Sequence, residues 1–235
     1  MIHQFILAAP KPGMTATDFQ DYWRTVHAVR YASKIPQIRR YLIDSRIPFE
    51  GDLGSPTLPH QGVAEIWLEN EEEQLASLQT EEFLQGARLD EPTWAAFWLT
   101  IVLDTTAYEI VPGPPLEEKD PDWVKLTVLS KRAPGMPLAD YRERSLDTYA
   151  PAVAKLPGLQ RYLHAQVRDG FYVFGESSFD SVDQLWFADL DGLRAALDSP
   201  YLAEQVAPVR DALTDPKYVF SLVARENWIL GPEAD

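Results

Sequence analysis

The groups on this chain best suited to move protons are a few histidines, carboxylates and phenols at repeating positions. His27 follows Trp23 by one helical turn in Tyr22-Trp23-Arg24-Thr25-Val26-His27. A histidine exchanges protons near neutral pH and is tuned by its surroundings. A place near the end of a helix would favour its protonated form. The alternative is a capping or core histidine making one structural hydrogen bond. Tyr149 is a phenol that can donate to a carbonyl or stabilise an enolate, or else an aromatic packing residue. Glu65 stands two residues before Trp67, so strand alternation puts both on one face. Against aromatics its pKa would rise and it could act as acid or base. On a partly solvated face it would instead pair with a cation. His3, Phe5 and Leu7 share one face of a strand, and Lys125, Thr127 and Leu129 share the face of another. Such polar strands suit a pocket wall, unless His3 frays with the terminus. Tyr41 and Tyr162 are further phenols, or core. His60, between Pro59 and Gln61, reads as exposed.

The elements that must position these groups are written twice. Lys11-Pro12-Gly13-Met14 returns as Ala133-Pro134-Gly135-Met136, an offset of 122 residues. Arg40-Tyr41-Leu42 returns as Arg161-Tyr162-Leu163, an offset of 121, and Trp67 returns as Trp186, an offset of 119. So small a drift marks one ancestral unit, duplicated and fused. His27 in the first copy stands where Tyr149 stands in the second, and Trp23 where Ser145 stands. This predicts a single asymmetric pocket lined by His27 and at least two of Glu65, Trp67, Lys125, Tyr149 and Trp186, with Tyr149 facing His27.

Each copy reads as strand, helix, strand, long loop, strand, helix, strand. The first strands are Ile2–Ala9 and Val124–Lys131, each stopped by a Pro-Gly turn. Helices start near Thr15/Thr17 and Leu138, with Phe19, Tyr22, Trp23 and Val26 on one face. Second strands fall at Ile38–Asp44 and Leu159–Val167, third strands at Gly62–Leu68 and Val182–Ala188. Acidic helices follow near Glu71–Gln79 and Leu190–Leu197, and last strands near Thr105–Val111 and Val219–Ile229. The loops Ser45–Gln61 and Arg168–Ser181 are long enough to act as lids. The second holds Phe171, Tyr172, Phe174 and Phe179, which could grip a flat substrate. A β-α-β-β-α-β unit is ferredoxin-like, so the fold class is α+β. Two such units, residues 1–112 and 122–231, joined by a proline-rich linker at 113–121, would close one barrel within the chain.

Composition removes several function classes. The net charge of −15 and pI near 4.6 argue against nucleic acid and anionic membranes as partners. Without cysteine there is no disulfide, thiolate ligand or cysteine nucleophile. The N-terminus lacks the basic flank and apolar core of a signal peptide, and no apolar run is long enough to span a membrane. A cytoplasmic protein is expected. The four histidines lack zinc-ligand spacing. Nucleophile-elbow, phosphate-loop and dinucleotide fingerprints are also missing.

The Lys-x-Pro-Gly-Met turn, Tyr-Trp-x-x-x-His helix, Pro-x-(Ile/Leu)-x-Arg-Tyr block and Glu-x-Trp strand resemble the EthD-domain family of the dimeric α-β barrel superfamily. Nearly the whole chain looks like a tandem fusion of two such units. The resemblance implies small, mostly cofactor-free proteins, with relatives among lactone isomerases and polyketide cyclases, dehydratases or decarboxylases, so neither cofactor nor metal is expected here. The family's helix histidine maps onto His27. The expected catalytic set is His27, Tyr149 and Glu65, with Trp23, Trp67, Lys125, Trp186, Tyr41 and Tyr162 holding the substrate. The chemistry implied is proton transfer on a small apolar or aromatic carbonyl compound, as a lyase, isomerase or cyclase. Alternatives are a non-catalytic binder of a hydrophobic small molecule, or an oxygenase. The oxygenase would be cofactor-free or would use a haem, which some distant barrel relatives bind. The barrel would be a monomer with an internal pseudo-dimer, or a homodimer through outer surfaces.

Overall fold

A computed structural model of the chain describes residues 1–50, 58–114 and 123–231. Residues 115–121 of the expected linker, and 51–57 of the first long loop, lie outside them. Eight strands form: β1 (Ile2–Ala8), β2 (Arg40–Arg46), β3 (Gly62–Leu68), β4 (Ile101–Val111), β5 (Val124–Arg132), β6 (Leu159–Val167), β7 (Ser181–Phe187) and β8 (Thr214–Leu230). Their hydrogen-bonded order, β1-β3-β2-β8-β5-β7-β6-β4, closes on itself as the expected barrel. Contacts divide the chain into two compact units. One comprises Met1–Arg46, Pro59–Thr105 and Glu226–Asp235, the other Ile47–Leu58 and Thr106–Arg225.

In the first unit β1 lies antiparallel between β3 and β4, and β2 pairs the far side of β3. A helix packs on this sheet as α1 (Ala16–Tyr22), a π-helical turn (Trp23–His27) and α2 (Ala28–Arg30). Thr15 caps it by accepting from the Asp18 amide at 3.1 Å, a contact worth about 1 kcal/mol. The helix passes His27 without ending, because the Ala28 amide bonds back five residues to the Trp23 carbonyl. Phe19, Trp23, Ala28 and Ala32 are buried against Ile2, Ala8, Ala64 and Ile66. The second helix is α3 (Glu71–Ser77), capped by Asn70. A further helical stretch, a π-turn at Glu82–Ala87 running into α4 (Arg88–Asp90), extends beyond the sequence expectation.

The second unit repeats this plan with β5 between β7 and β8, and β6 on the far side of β7. Its helices are α5 (Leu138–Arg144), a π-turn (Ser145–Tyr149) and α6 (Ala150–Val153), then α7 (Leu190–Leu197), a π-turn (Leu202–Val206) and α8 (Ala207–Leu213). Leu193 and Ala196 of α7 and Leu213 of α8 close its core over Val124, Leu126 and Val128. Three strand starts differ from expectation by more than one residue. Ile38 closes a turn onto the Ile35 carbonyl, so β2 begins only at Arg40. The last strands start earlier than expected, at Ile101 and Thr214.

Candidate functional site

The first unit contains a cavity of about 350 Å³ between its sheet and its helices. Small residues leave the room: Ala8, Ala32, Ala64, Ala87 and Ala95 all border it. Trp23, Trp94 and Phe97 supply aromatic walls, with the Trp23 and Trp94 rings 4.9 Å apart. Such a volume and lining are those of a small-molecule site.

His27 is buried in this wall, its ring 4.8 Å from that of Trp94. The π-turn carries it onto the same helical face as Trp23. Its Nδ1–H donates to Asp90 Oδ2 at 2.8 Å. That bond fixes the tautomer and leaves Nε2 as the basic nitrogen; no described residue hydrogen-bonds it. Asp90 is itself held, since Tyr22 OH donates to its Oδ1 at 2.8 Å and Thr93 Oγ1 to its carbonyl at 2.7 Å. Burial pushes the His27 pKa below its ordinary 6.5, with Asp90 pulling the other way. The imidazole is therefore neutral at pH 7. Glu91 borders the cavity with its pKa raised by burial, against the Arg88 guanidinium 3.3 Å away, which lowers it. Among the described residues the buried Trp94 indole N–H has no hydrogen-bond partner. Among the described residues no group of three or more His, Cys, Asp or Glu side chains is arranged to hold a metal.

Of the expected site residues, the structure brings His27, Trp23 and Tyr41 to this cavity and places the others elsewhere. Glu65 and Trp67 share a strand face, as alternation requires, but it is the face turned away from the cavity. Ala64, Ile66 and Leu68 of β3 line the cavity instead. Glu65 is fully buried and paired, its Oε2 2.7 Å from His3 Nε2. His3 does not fray: its ring stacks on Trp67 at 4.3 Å, and its carbonyl accepts from Thr105 Oγ1. His60 is buried rather than exposed, because its Nε2–H reaches the Leu99 carbonyl at 2.7 Å.

In the second unit Lys125 is buried with its Nζ 5.1 Å from the Trp186 ring centroid. Tyr149, expected to face His27, instead lies beside His164, their rings 6.4 Å apart. Burial, and then Asp183, hold its phenol well above the ordinary range. Around it runs a closed polar network. His164 Nδ1 bonds Asp183 Oδ1 at 2.7 Å, and His164 Nε2 meets Ser145 Oγ at 3.0 Å. Tyr162 OH donates to Asp183 at 2.6 Å. This is the order of a serine-histidine-aspartate triad, yet all three side chains are completely enclosed, and Ser145 Oγ already donates to the Arg142 carbonyl. It is a packing device. Of the loop aromatics, Phe179 packs against Phe220 and Tyr172 donates to Asp180, while Phe174 is fully exposed.

The sequence expectation does not reach Asp90, because it ends its second helix near Gln79. The signal was available: Phe83, Ala87 and Asp90 recur at helical spacing, which puts Asp90 on the buried face.

The EthD domain model matches residues 11–97 and again 133–217. No curated protein matches the chain. Among solved structures, an anthrone oxidase-like protein superposes with TM-score 0.65 at 12% identity, covering 99% of this chain and 94% of its own. A candidate monooxygenase from Fusobacterium nucleatum superposes with TM-score 0.60 at 6% identity, over 97% and 93% of the two chains. A candidate chlorite dismutase reaches 0.55 at 13% identity, over 96% and 94%. At these identities the likeness is one of fold.

Proposed function

Since the chain belongs to the EthD-domain family, matched once in each half, we propose that it is an enzyme moving protons on a small, largely apolar carbonyl compound bound in the His27 cavity. The observation that carries this reading is the state of His27: neutral through burial, held on Nδ1 by Asp90, and open at Nε2. A substrate C–H beside a carbonyl gives its proton to Nε2, and the electron pair moves onto the carbonyl oxygen. Asp90 steadies the imidazolium that forms. Arg88, the one Lys or Arg among the described residues lining the cavity, is the cation available to the developing oxyanion. Return of the proton to another carbon makes the reaction an isomerisation. Attack of the enolate carbon on a second carbonyl of the same molecule, whose oxygen then takes the proton, makes it a cyclisation. Expulsion of a β-leaving group by the electron pair, with the proton passing to that group, makes it a lyase reaction. None of these steps calls for a cofactor. In this reading Tyr41 and Trp23 shape the cavity, and Tyr149, Glu65, Lys125, Trp67, Trp186 and Tyr162 act on the fold. The setting is cytoplasmic and the partner a small molecule.

The test is hydrogen–deuterium exchange. Aryl ketones and ring lactones are incubated in D2O with the protein, and loss of the α-proton signal is followed by NMR. Exchange by the wild type that disappears in His27→Ala supports the reading. Saturable binding of such compounds with no exchange would favour a carrier. Oxygen uptake would point to the oxidase or monooxygenase chemistry named for the similar structures, and a visible spectrum of the pure protein would reveal a haem.

A further inference from the structure

The cavity has a second polar feature that proton transfer does not use. Gln4 of β1 and Gln74 of α3 both border it. Their amide nitrogens converge on one buried carboxylate: Gln4 Nε2 donates to Asp104 Oδ1 at 2.8 Å, and Gln74 Nε2 donates to Asp104 Oδ2. Asp104 is the cross-strand partner of Gln4 in β4. A carboxylate only accepts, so each amide must turn its nitrogen toward it. Each side chain then has Oε1 and a second N–H left over, and no described residue hydrogen-bonds either Oε1. Because each amide takes one oxygen of the same carboxylate, the two stand side by side.

The second copy shows that this trio is not demanded by the fold. Gln4 and Asp104 correspond to the cross-strand pair Leu126 and Val223. Counting from the helix caps Asn70 and Asp189, Gln74 corresponds to Leu193. All three counterparts are fully buried core residues. Three matched positions are thus polar in the unit with the cavity and aliphatic in the other.

The geometry points to Gln4 and Gln74, both turned by Asp104, as a hydroxyl-reading edge of the His27 cavity, so that its ligand is a hydroxylated ring compound. A hydroxyl donates to Oε1 and accepts from the free N–H, matching both leftover groups. An ether or a ketone only accepts, and an ammonium only donates. The aromatic walls set by Trp23, Trp94 and Phe97 favour a flat ring behind the hydroxyls. This inference rests on the cavity being the binding site, but not on His27 acting as a base.

The test is calorimetric titration of the purified protein with 1,3-dihydroxynaphthalene and with 1,3-dimethoxynaphthalene. The second keeps both oxygens and loses both donors. The dihydroxy compound should bind the wild type about tenfold more tightly or better, at roughly fivefold per hydrogen bond. In Gln4→Leu/Gln74→Leu the preference should fall below about threefold. Asp104→Asn keeps the side-chain volume but can itself donate, so it frees the amides to turn over, and it too should relax the preference. A thermal melt of each variant shows that it is folded. The titration reads binding and not turnover, which separates this inference from the proposed chemistry: a wild-type preference in a protein that exchanges no α-proton would keep the one and overturn the other. Equal binding of the two compounds by the wild type, a preference surviving in both variants, or no saturable binding of either compound would overturn it.

Discussion

In the proposed reaction neutral His27 is the residue on which the chemistry turns, and burial sets the pH at which it would work. General acid–base groups contribute about 10²–10⁴-fold, so His27→Ala should lower kcat/KM by that order in a protein that still folds, at a cost of about 1–3 kcal/mol because buried Asp90 Oδ2 loses its donor. Only the unprotonated ring accepts a proton. The wild-type kcat/KM should therefore be flat at neutral pH and fall as pH drops through a pKa below 6.5. Asp90 opposes the downward shift, so Asp90→Asn should move that acid limb to still lower pH. It should also lower the plateau, since the imidazolium loses its partner. An acid limb that rises in Asp90→Asn would mean that Asp90 does not face the working histidine. The same depressed pKa has a stability consequence. The unfolded chain binds the His27 proton more readily, so the protein loses stability as pH falls below 6.5 until the folded pKa is reached. The sequence pointed to His27 through its motif and its mismatch with Tyr149. It did not reveal Asp90 as its partner, because the helical spacing of Phe83, Ala87 and Asp90 puts the carboxylate on a buried face without showing what it meets there.

At the scale of elements, each copy places a π-turn at the same point of each helix, and in the first copy one such turn carries His27. Such turns are frequent at functional sites, and nothing in apolar spacing reveals them. Strand positions were far more legible, because alternation and the Pro-Gly stops survive in both copies; β3, β6 and α7 fall at their expected bounds. What alternation could not settle was which sheet face borders the cavity. Glu65 and Trp67 share a face as expected, but the alanines at positions 8 and 64 open the opposite one. Gly62 shows how closely the π-turn's Trp23 is fitted to the sheet. A Cβ there would meet the Asp44 carbonyl oxygen at 2.7 Å and the Trp23 ring at 3.0 Å. Gly62→Ala should thus cost about 1–3 kcal/mol in a denaturant melt, through overpacking. Gly86 is the control: its added Cβ meets nothing closer than Tyr31 at 3.5 Å. Gly86→Ala should stabilise by about 0.5–1 kcal/mol by stiffening a helical position. Equal effects from both changes would contradict the fitted Trp23 contact.

At the scale of the whole molecule, duplication gave two equivalent spaces between helices and sheet, and the copies used them differently. In the first unit Trp23, His27, Ile43 and Ala64 stand around or beside an open cavity. The matched residues of the second, Ser145, Tyr149, His164 and Asp183, tie into the enclosed network. The substitution of Asp183 for Ala64 is plain in the sequence once the copies are aligned, but whether a buried carboxylate plugs a space or serves a reaction depends on partners that sequence does not show. The partners are decisive here, because His164 bridges Asp183 Oδ1 and Ser145 Oγ and all three are sealed from solvent. His164→Ala should therefore behave unlike His27→Ala. It removes two hydrogen bonds and leaves a void beside a buried carboxylate, which should cost on the order of 3 kcal/mol in a denaturant melt. The folded fraction should keep its kcat/KM within about twofold, because every residue lining the cavity belongs to the first unit. A His164→Ala protein of unchanged stability and lost activity would move the chemistry to the second unit and overturn this division of labour.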